Sequence, residues 1–230
     1  MFLLAYFFRL SNPILTLNLD GTLVHATKTC RNLGVTFDKF TFENFVSQKC
    51  HSASFGLYKI GKTSIFLDRT TIERLIHAFV MCHFDFCNSL LFGLPSRQIQ
   101  RLQLIQNSAA RLVTRTKKHE SISPVLRNLH WLPIQSRIQF KVLLLTYQCF
   151  HQFAPSYLIE LLIQYKPERT LRSSKKSLFY VPQTMTKSYG ERSFSYAATV
   201  LWNNLPEYLR NIETYEKFRS NLKTHLFSIL

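Results

Sequence analysis

A chain of 230 residues with 46% hydrophobic content and only six glycines can bury a proper core, as one domain or two small ones, which excludes a disordered chain. Its net charge of +16 is unevenly placed: residues 1–96 hold 9 Lys/Arg against 6 Asp/Glu, whereas residues 97–230 hold 20 against 7. A basic half of this kind points to a polyanionic partner, nucleic acid before an anionic membrane face.

The opening Met1-Phe-Leu-Leu-Ala-Tyr-Phe-Phe8 is apolar but too short to span a bilayer. It lacks a basic n-region, and Arg9 follows where a signal-peptide cleavage site wants a small residue. Residues 17–24 alternate around Asp20-Gly21, a strong short-range hairpin signal. Asn32-Leu-Gly-Val-Thr-Phe37 reads as a further strand, reached through Cys30-Arg31. From there the pattern turns helical. Residues 42–54 are amphipathic, and Leu67-Asp-Arg-Thr-Thr71 supplies capping residues for a helix running to about Phe84.

Residues 98–115 carry the clearest helical period, with Ile99, Leu102, Ile105, Ala109, Leu112 and Val113 in one arc and Arg97, Arg101, Arg111 and Arg115 on the far side. Pro133 opens a helix through about Phe150, with Ile138, Val142, Leu145 and Cys149 facing inward. Pro155-Ser-Tyr starts a short helix to about Gln164. Residues 165–187 have basic loop character, with one strand expected at 178–181, and a last helical unit runs from Arg192, broken at Pro206. The five cysteines (Cys30, Cys50, Cys82, Cys87, Cys149) are odd in number and set among apolar residues. They read as buried free thiols of a reducing, intracellular compartment, nuclear or cytoplasmic.

Six blocks stand in a fixed order: Lys28-Thr-Cys-Arg-Asn-Leu-Gly-Val-Thr-Phe-Asp38, the tract 85–147 (DFCNSLLFGLPSRQ…VLLLTY), Ala154-Pro-Ser-Tyr-Leu158, Leu171-Arg-Ser-Ser174, Tyr189-Gly-Glu-Arg-Ser-Phe194 and Leu201-Trp-Asn-Asn-Leu-Pro206. Together they cover roughly residues 17–227, and they resemble the region after the palm in polymerases of non-LTR (LINE-type) retrotransposons, particularly lineages related to Jockey and the chicken repeats. Residues 1–14 fall outside the resemblance. The resemblance implies a mainly α fold: a palm β remnant (15–38), a helical thumb-like region (39–120), a helical extension (121–164), a basic loop (165–190) and a C-terminal helical unit (191–230). In such polymerases the Leu33-Gly34 element is the last palm strand and helps to hold the primer end. His151-Gln-Phe-Ala-Pro155 departs from the pattern by lacking a glycine after the helix, and Thr199 stands where a proline is usual.

RNA-directed DNA synthesis needs carboxylates converging on two Mg²⁺ ions. The four aspartates Asp20, Asp38, Asp68 and Asp85 are scattered, and no aromatic-x-Asp-Asp turn occurs. Asp20 belongs to its turn and Asp68 to a helix cap, while Asp85 matches the family's helix-end segment. The chain alone is therefore expected to be non-catalytic, with no cofactor of its own; the Mg²⁺ of the parent enzymes lacks its ligands here. Gly56-Leu-Tyr-Lys-Ile-Gly-Lys-Thr63 matches the Walker A spacing, but no strand leads into it and no helix cap arrives before Asp68. Cys82-His-Phe-Asp-Phe-Cys87 has no second convergent pair for zinc, so helix cysteines buried in the core are the expectation. Trp131 and Trp202 read as core.

The basic features carry the functional expectation, which is RNA or DNA binding without base-specific readout. Arg97, Arg101, Arg111, Arg115, Lys117 and Lys118 form one stripe able to track phosphates. Arg169, Arg172, Lys175 and Lys176 form a second cluster, interleaved with Phe179, Tyr180 and Tyr189 as stacking aromatics. Neither a small-molecule substrate nor a transmembrane segment is expected. Open alternatives are an interaction protein that binds a protein partner or anionic membrane, an enzyme of unrelated chemistry, and a decayed element fragment with no selected function.

Overall fold

Alternation and turn chemistry shape the N-terminal part, and helical periodicity shapes the rest. The computed structural model describes residues 16–19, 21–25, 27, 29–38, 41–165, 177–186 and 189–229. The N-terminal segment 1–14, Asp20, the basic residues Arg169, Arg172, Lys175 and Lys176, and the Leu171–Ser174 block lie outside them. The fold is mainly helical, with short antiparallel strand pairs near the N-terminus. Backbone contacts divide it into two units, Met1–Gln48 and Lys49–Leu230.

In the first unit, β1 (Thr16–Leu19) pairs with β2 (Thr22–His25), Leu19 opposite Thr22, around the expected turn with Gly21 at φ +84°. The strand expected over 32–37 is instead a second hairpin, β3 (Cys30–Asn32) against β4 (Val35–Phe37). Leu33 and Gly34 form its two-residue loop at φ +46° and +80°, the paired left-handed conformation of a primed turn. The Leu33 side chain is 89% exposed at this tip. Asp38 accepts hydrogen bonds from the Phe42 and Glu43 amides (2.8 and 3.1 Å) at the start of helix α1 (Glu43–Thr63). Phe42 packs between Phe37 and Phe45, at centroid distances of 5.9 and 6.4 Å.

Helix α1 runs well past the expected end near residue 54, since neither Gly56 nor Gly61 breaks it. Gly56 is required by packing: a Cβ there would lie 2.7 Å from the Phe79 carbonyl oxygen. Asp68 caps α2 (Arg69–Ile76), accepting from the Thr70 and Thr71 amides. The helix continues through a π-helical segment, His77–Met81, into α3 (Cys82–Asp85). Lys49 Nζ, buried, donates to the carbonyls of His83 and Phe86 and so satisfies groups at the end of α3. Desolvation pushes its pKa down to about 8.

Helix α4 (Ser96–Thr114) buries Ile99, Leu102, Gln106, Ala109, Ala110 and Val113. Gln106 is a polar bridge inside that face, donating to the Leu132 carbonyl at 2.9 Å, while Gln103 accepts from the Ile134 amide at 2.8 Å. After α5 (Ile122–Asn128), Pro133 opens α6 (Ile134–Phe150) as expected. Helix α6 is buried almost all round, adding Leu143, Leu144 and Tyr147 to Ile138, Val142 and Cys149, whereas Leu145 is only half-buried. Its far end closes without glycine: Gln152 takes the left-handed conformation (φ +60°), and the Phe153 amide reaches back to the Gln148 carbonyl at 2.8 Å.

The helix expected over 155–164 is only the turn α7 (Ser156–Ile159). The chain then extends so that Gln164 bridges Phe179, the remnant of the strand expected at 178–181. Helices α8 (Phe194–Asn203), α9 (Glu207–Arg210) and α10 (Tyr215–Ser228) form the C-terminal unit. Thr199 sits inside α8 fully buried and returns its hydroxyl to the Ser195 and Tyr196 carbonyls, both at 2.9 Å. Trp202, Tyr147, Phe150, Phe179 and Phe218 make the central aromatic cluster, with Tyr147 stacked on Phe218 at 4.3 Å. Trp202 Nε1 donates to the Ser177 carbonyl (2.8 Å) and Tyr147 OH to the Glu213 carbonyl (2.6 Å). Both tryptophans are core, as expected. All five cysteines are free, but only Cys149 is buried; Cys30 and Cys82 are exposed, because Cys82 lies on the outer face of its helix. Among the described residues no helix is long and apolar enough to cross a membrane.

Candidate nucleic-acid interface

The arginines of α4 are placed by the helix that buries the opposite face. At 3.6 residues per turn Arg97, Arg101, Leu104, Ser108, Arg111 and Arg115 fall within an arc of about 80°. Arg97 and Arg115 are exposed, and Arg101 and Arg111 half-exposed. Arg115 ends the helix in the left-handed region (φ +55°), with Lys117 and Lys118 exposed in the turn beyond it. Arg111 differs from the sequence reading: its Nε and Nη2 reach the Lys117 and Glu120 carbonyls (3.4 and 3.2 Å). It therefore tethers the connection to α5 as well as adding charge.

The stripe has a neighbour that the sequence reading missed. A solvent-open groove of about 330 Å³ runs between α4 and the Lys49–Thr63 part of α1, lined by Ser54, Leu57 and Tyr58 on one wall and Leu104, Ile105 and Ser108 on the other. Tyr58 and Leu104 are each 58% exposed. A Cβ at Gly61 would meet no atom within 4 Å, so the α1 surface is open there too. Two lysines lie over aromatic rings one helical turn away, Lys59 over Phe55 at 4.4 Å and Lys62 over Tyr58 at 4.7 Å. Further back on α1, burial pushes the Cys50 thiol up and the positive charge of Arg101 partly offsets this.

The two helix walls carry charge of one sign, and the Glu120 carboxylate accepts from the Lys117 amide (3.3 Å) beyond the end of α4. No Asp or Glu occurs between Glu43 and Asp68 or between Asp85 and Glu120, so neither helix wall carries an acid. The signal was legible as that absence, together with the i,i+4 pairs Phe55/Lys59 and Tyr58/Lys62. The second expected cluster lies outside the described residues, and its aromatics divide. Phe179 is 3% exposed against Trp202 and cannot stack on a base, whereas Tyr180 and Tyr189 are exposed. Leu33 and Gly34, expected in a primer-holding strand, belong to a hairpin tip of the first unit, because their left-handed backbone ends the ladder there.

The described aspartates are each engaged locally. Asp38 and Asp68 accept helix-start amides, and both Asp85 oxygens accept from Arg137 Nη1 at 2.7 and 2.8 Å. These residues do not fit the Mg²⁺ site of a polymerase: among the described residues no three His, Cys, Asp or Glu side chains converge. The Walker-like Gly56–Thr63 stretch is helix, so its amides are directed along the helix axis to preceding carbonyls and form no phosphate cradle. No protein-family model matches the chain, and no curated protein or solved structure was found to be similar to it.

Proposed function

We propose that this chain is the palm-end, thumb and C-terminal region of a non-LTR retrotransposon reverse transcriptase, and that on its own it is non-catalytic and binds RNA or DNA without sequence preference. The observation that supports this reading best is the arginine stripe of α4, set on a helix without acidic residues, the Glu120 carboxylate meeting it only beyond its end, at the Lys117 amide (3.3 Å). Such a face attracts phosphate, and binding releases counterions. The free thiols fit a reducing compartment, nuclear or cytoplasmic.

Fluorescence anisotropy with a labelled RNA–DNA hybrid and a labelled single strand, across a salt series, tests the reading. The affinity should fall steeply with salt, by about 0.9 logarithmic units per tenfold salt for each duplex phosphate contact. Arg97→Glu, Arg115→Glu, Lys117→Glu and Lys118→Glu together, all at exposed positions, should abolish binding without altering the helical signal. Neutral or anionic vesicles should not compete. Absence of binding to either nucleic acid at low salt refutes the proposal.

A further inference from the structure

We infer that the groove between α1 and α4 takes the unpaired bases of a single strand, with successive phosphates lying along its basic rims; this rests on the nucleic-acid reading above. A duplex offers phosphates and sugars to a protein surface and hides its base faces, so the arginine stripe alone would serve it. The groove floor is of another kind. Leu57, Ile105 and the half-exposed Leu104 and Tyr58 are apolar surface held open to water. A floor of this chemistry is covered favourably by flat apolar faces, which unpaired bases supply and a phosphate backbone does not.

The dimensions and rims agree. Ser54 and Ser108 are the small residues along the walls. Lys62, poised over the Tyr58 ring at 4.7 Å, can release that face to a base and turn its ammonium to the adjoining phosphate. Arg97 and Arg115 stand about 27 Å apart along the helix at 1.5 Å per residue, a length that several successive phosphates occupy. Charge spread over that whole length suits a regularly spaced polyanion better than an acidic amphipathic peptide, which would need only the central apolar patch.

The test compares a uridine 12-mer with a hairpin duplex of equal phosphate number, using wild type, Tyr58→Ala, Leu104→Ala and Ser108→Phe, the last to block the groove from its wall. All three positions are exposed, and circular dichroism checks that the variants fold. Each substitution should weaken the single strand roughly ten-fold and leave the duplex within a factor of two. If the duplex binds and the single strand does not, or if both respond equally, the groove inference is overturned while the nucleic-acid reading stands. If neither binds, that reading fails and takes the inference with it. Tyr58-dependent capture of a Glu/Leu amphipathic helical peptide, with no effect of Tyr58→Ala on the 12-mer, also overturns it.

Discussion

Trp131 and Trp202 are buried to nearly the same degree, 2% and 0% exposed, but among the described residues their indole N–H groups differ in partner. Trp202 Nε1 donates to the Ser177 carbonyl at 2.8 Å, whereas Trp131 Nε1 is buried with no acceptor among the described residues. Replacing either by phenylalanine removes similar apolar volume, a loss of about 2 kcal/mol with the cavity included. For Trp202→Phe the lost hydrogen bond adds about 1 kcal/mol, moderated because Ser177 is only half-buried. For Trp131→Phe the sign reverses: deleting a buried donor without an acceptor relieves about 1 kcal/mol, and the new ring still faces His77. The expected costs are therefore about 3 kcal/mol at position 202 and about 1 kcal/mol at position 131. Urea unfolding followed by far-ultraviolet circular dichroism reads this directly. At an m-value of about 2 kcal/mol per molar, the two midpoints should differ by roughly 1 M. Equal destabilisation, or a larger loss for Trp131→Phe, refutes the reasoning.

The two glycines of α1 should respond in opposite directions. Gly61→Ala meets no atom and should stabilise by about 0.5–1 kcal/mol, whereas Gly56→Ala, driven against the Phe79 carbonyl, should destabilise by about 1 kcal/mol net; thermal unfolding of the pair checks both. Gln152→Gly removes a side chain from a left-handed, exposed position and should raise stability by about 1 kcal/mol in the same assay. Lys49 has a folded pKa of about 8, below its unfolded value, so between pH 8 and 10.5 the unfolded chain binds more protons and this residue's contribution to stability rises with pH. The raised Cys50 and Cys149 thiols act in the opposite sense above their ordinary range, so the readout is the difference between wild type and Lys49→Met. That difference should shift toward wild type by about 1 kcal/mol from pH 7.5 to 9, and a flat difference refutes the assignment.

Sequence periodicity revealed helices that are buried on one face and exposed on the other. The arcs of Ile99, Leu102, Ala109 and Val113 gave α4, and Asp68 gave the start of α2 through its cap. Helix α6 was harder to read inward from outward, since Leu143, Leu144 and Tyr147 add burial around its whole circumference and flatten the period. The β3–β4 turn was hidden because Leu33 takes a left-handed conformation that is usual for Asn, Asp or Gly. Gly56 and Gly61 look like helix breakers in one dimension; packing against Phe79 explains the first. At the candidate interface the arginine stripe was legible from spacing. The groove was not, because it forms from helices about fifty residues apart in sequence, and no local pattern encodes which α1 face meets α4. Nor could the Arg111 tether be read, since its acceptors are loop carbonyls.

The aromatic cluster around Tyr147 has a consequence for the order in which the molecule can be made. Helix α6 presents Tyr147, Val142 and Leu143 to residues that are translated much later: Trp202, then Phe218, Leu222 and Leu226 of α10. Tyr147 even sends its hydroxyl to the Glu213 carbonyl, 66 positions onward. Until that later sequence leaves the ribosome, α4 and the turn at Asn88–Leu91 can cover one side of α6, but the side that carries Tyr147 lacks its partners. The nascent chain thus passes through an extended interval of exposed aromatic surface, the state in which chains aggregate or recruit chaperones. The yield of folded chain is therefore expected to depend on how long that side stays uncovered as well as on the stability of the finished core.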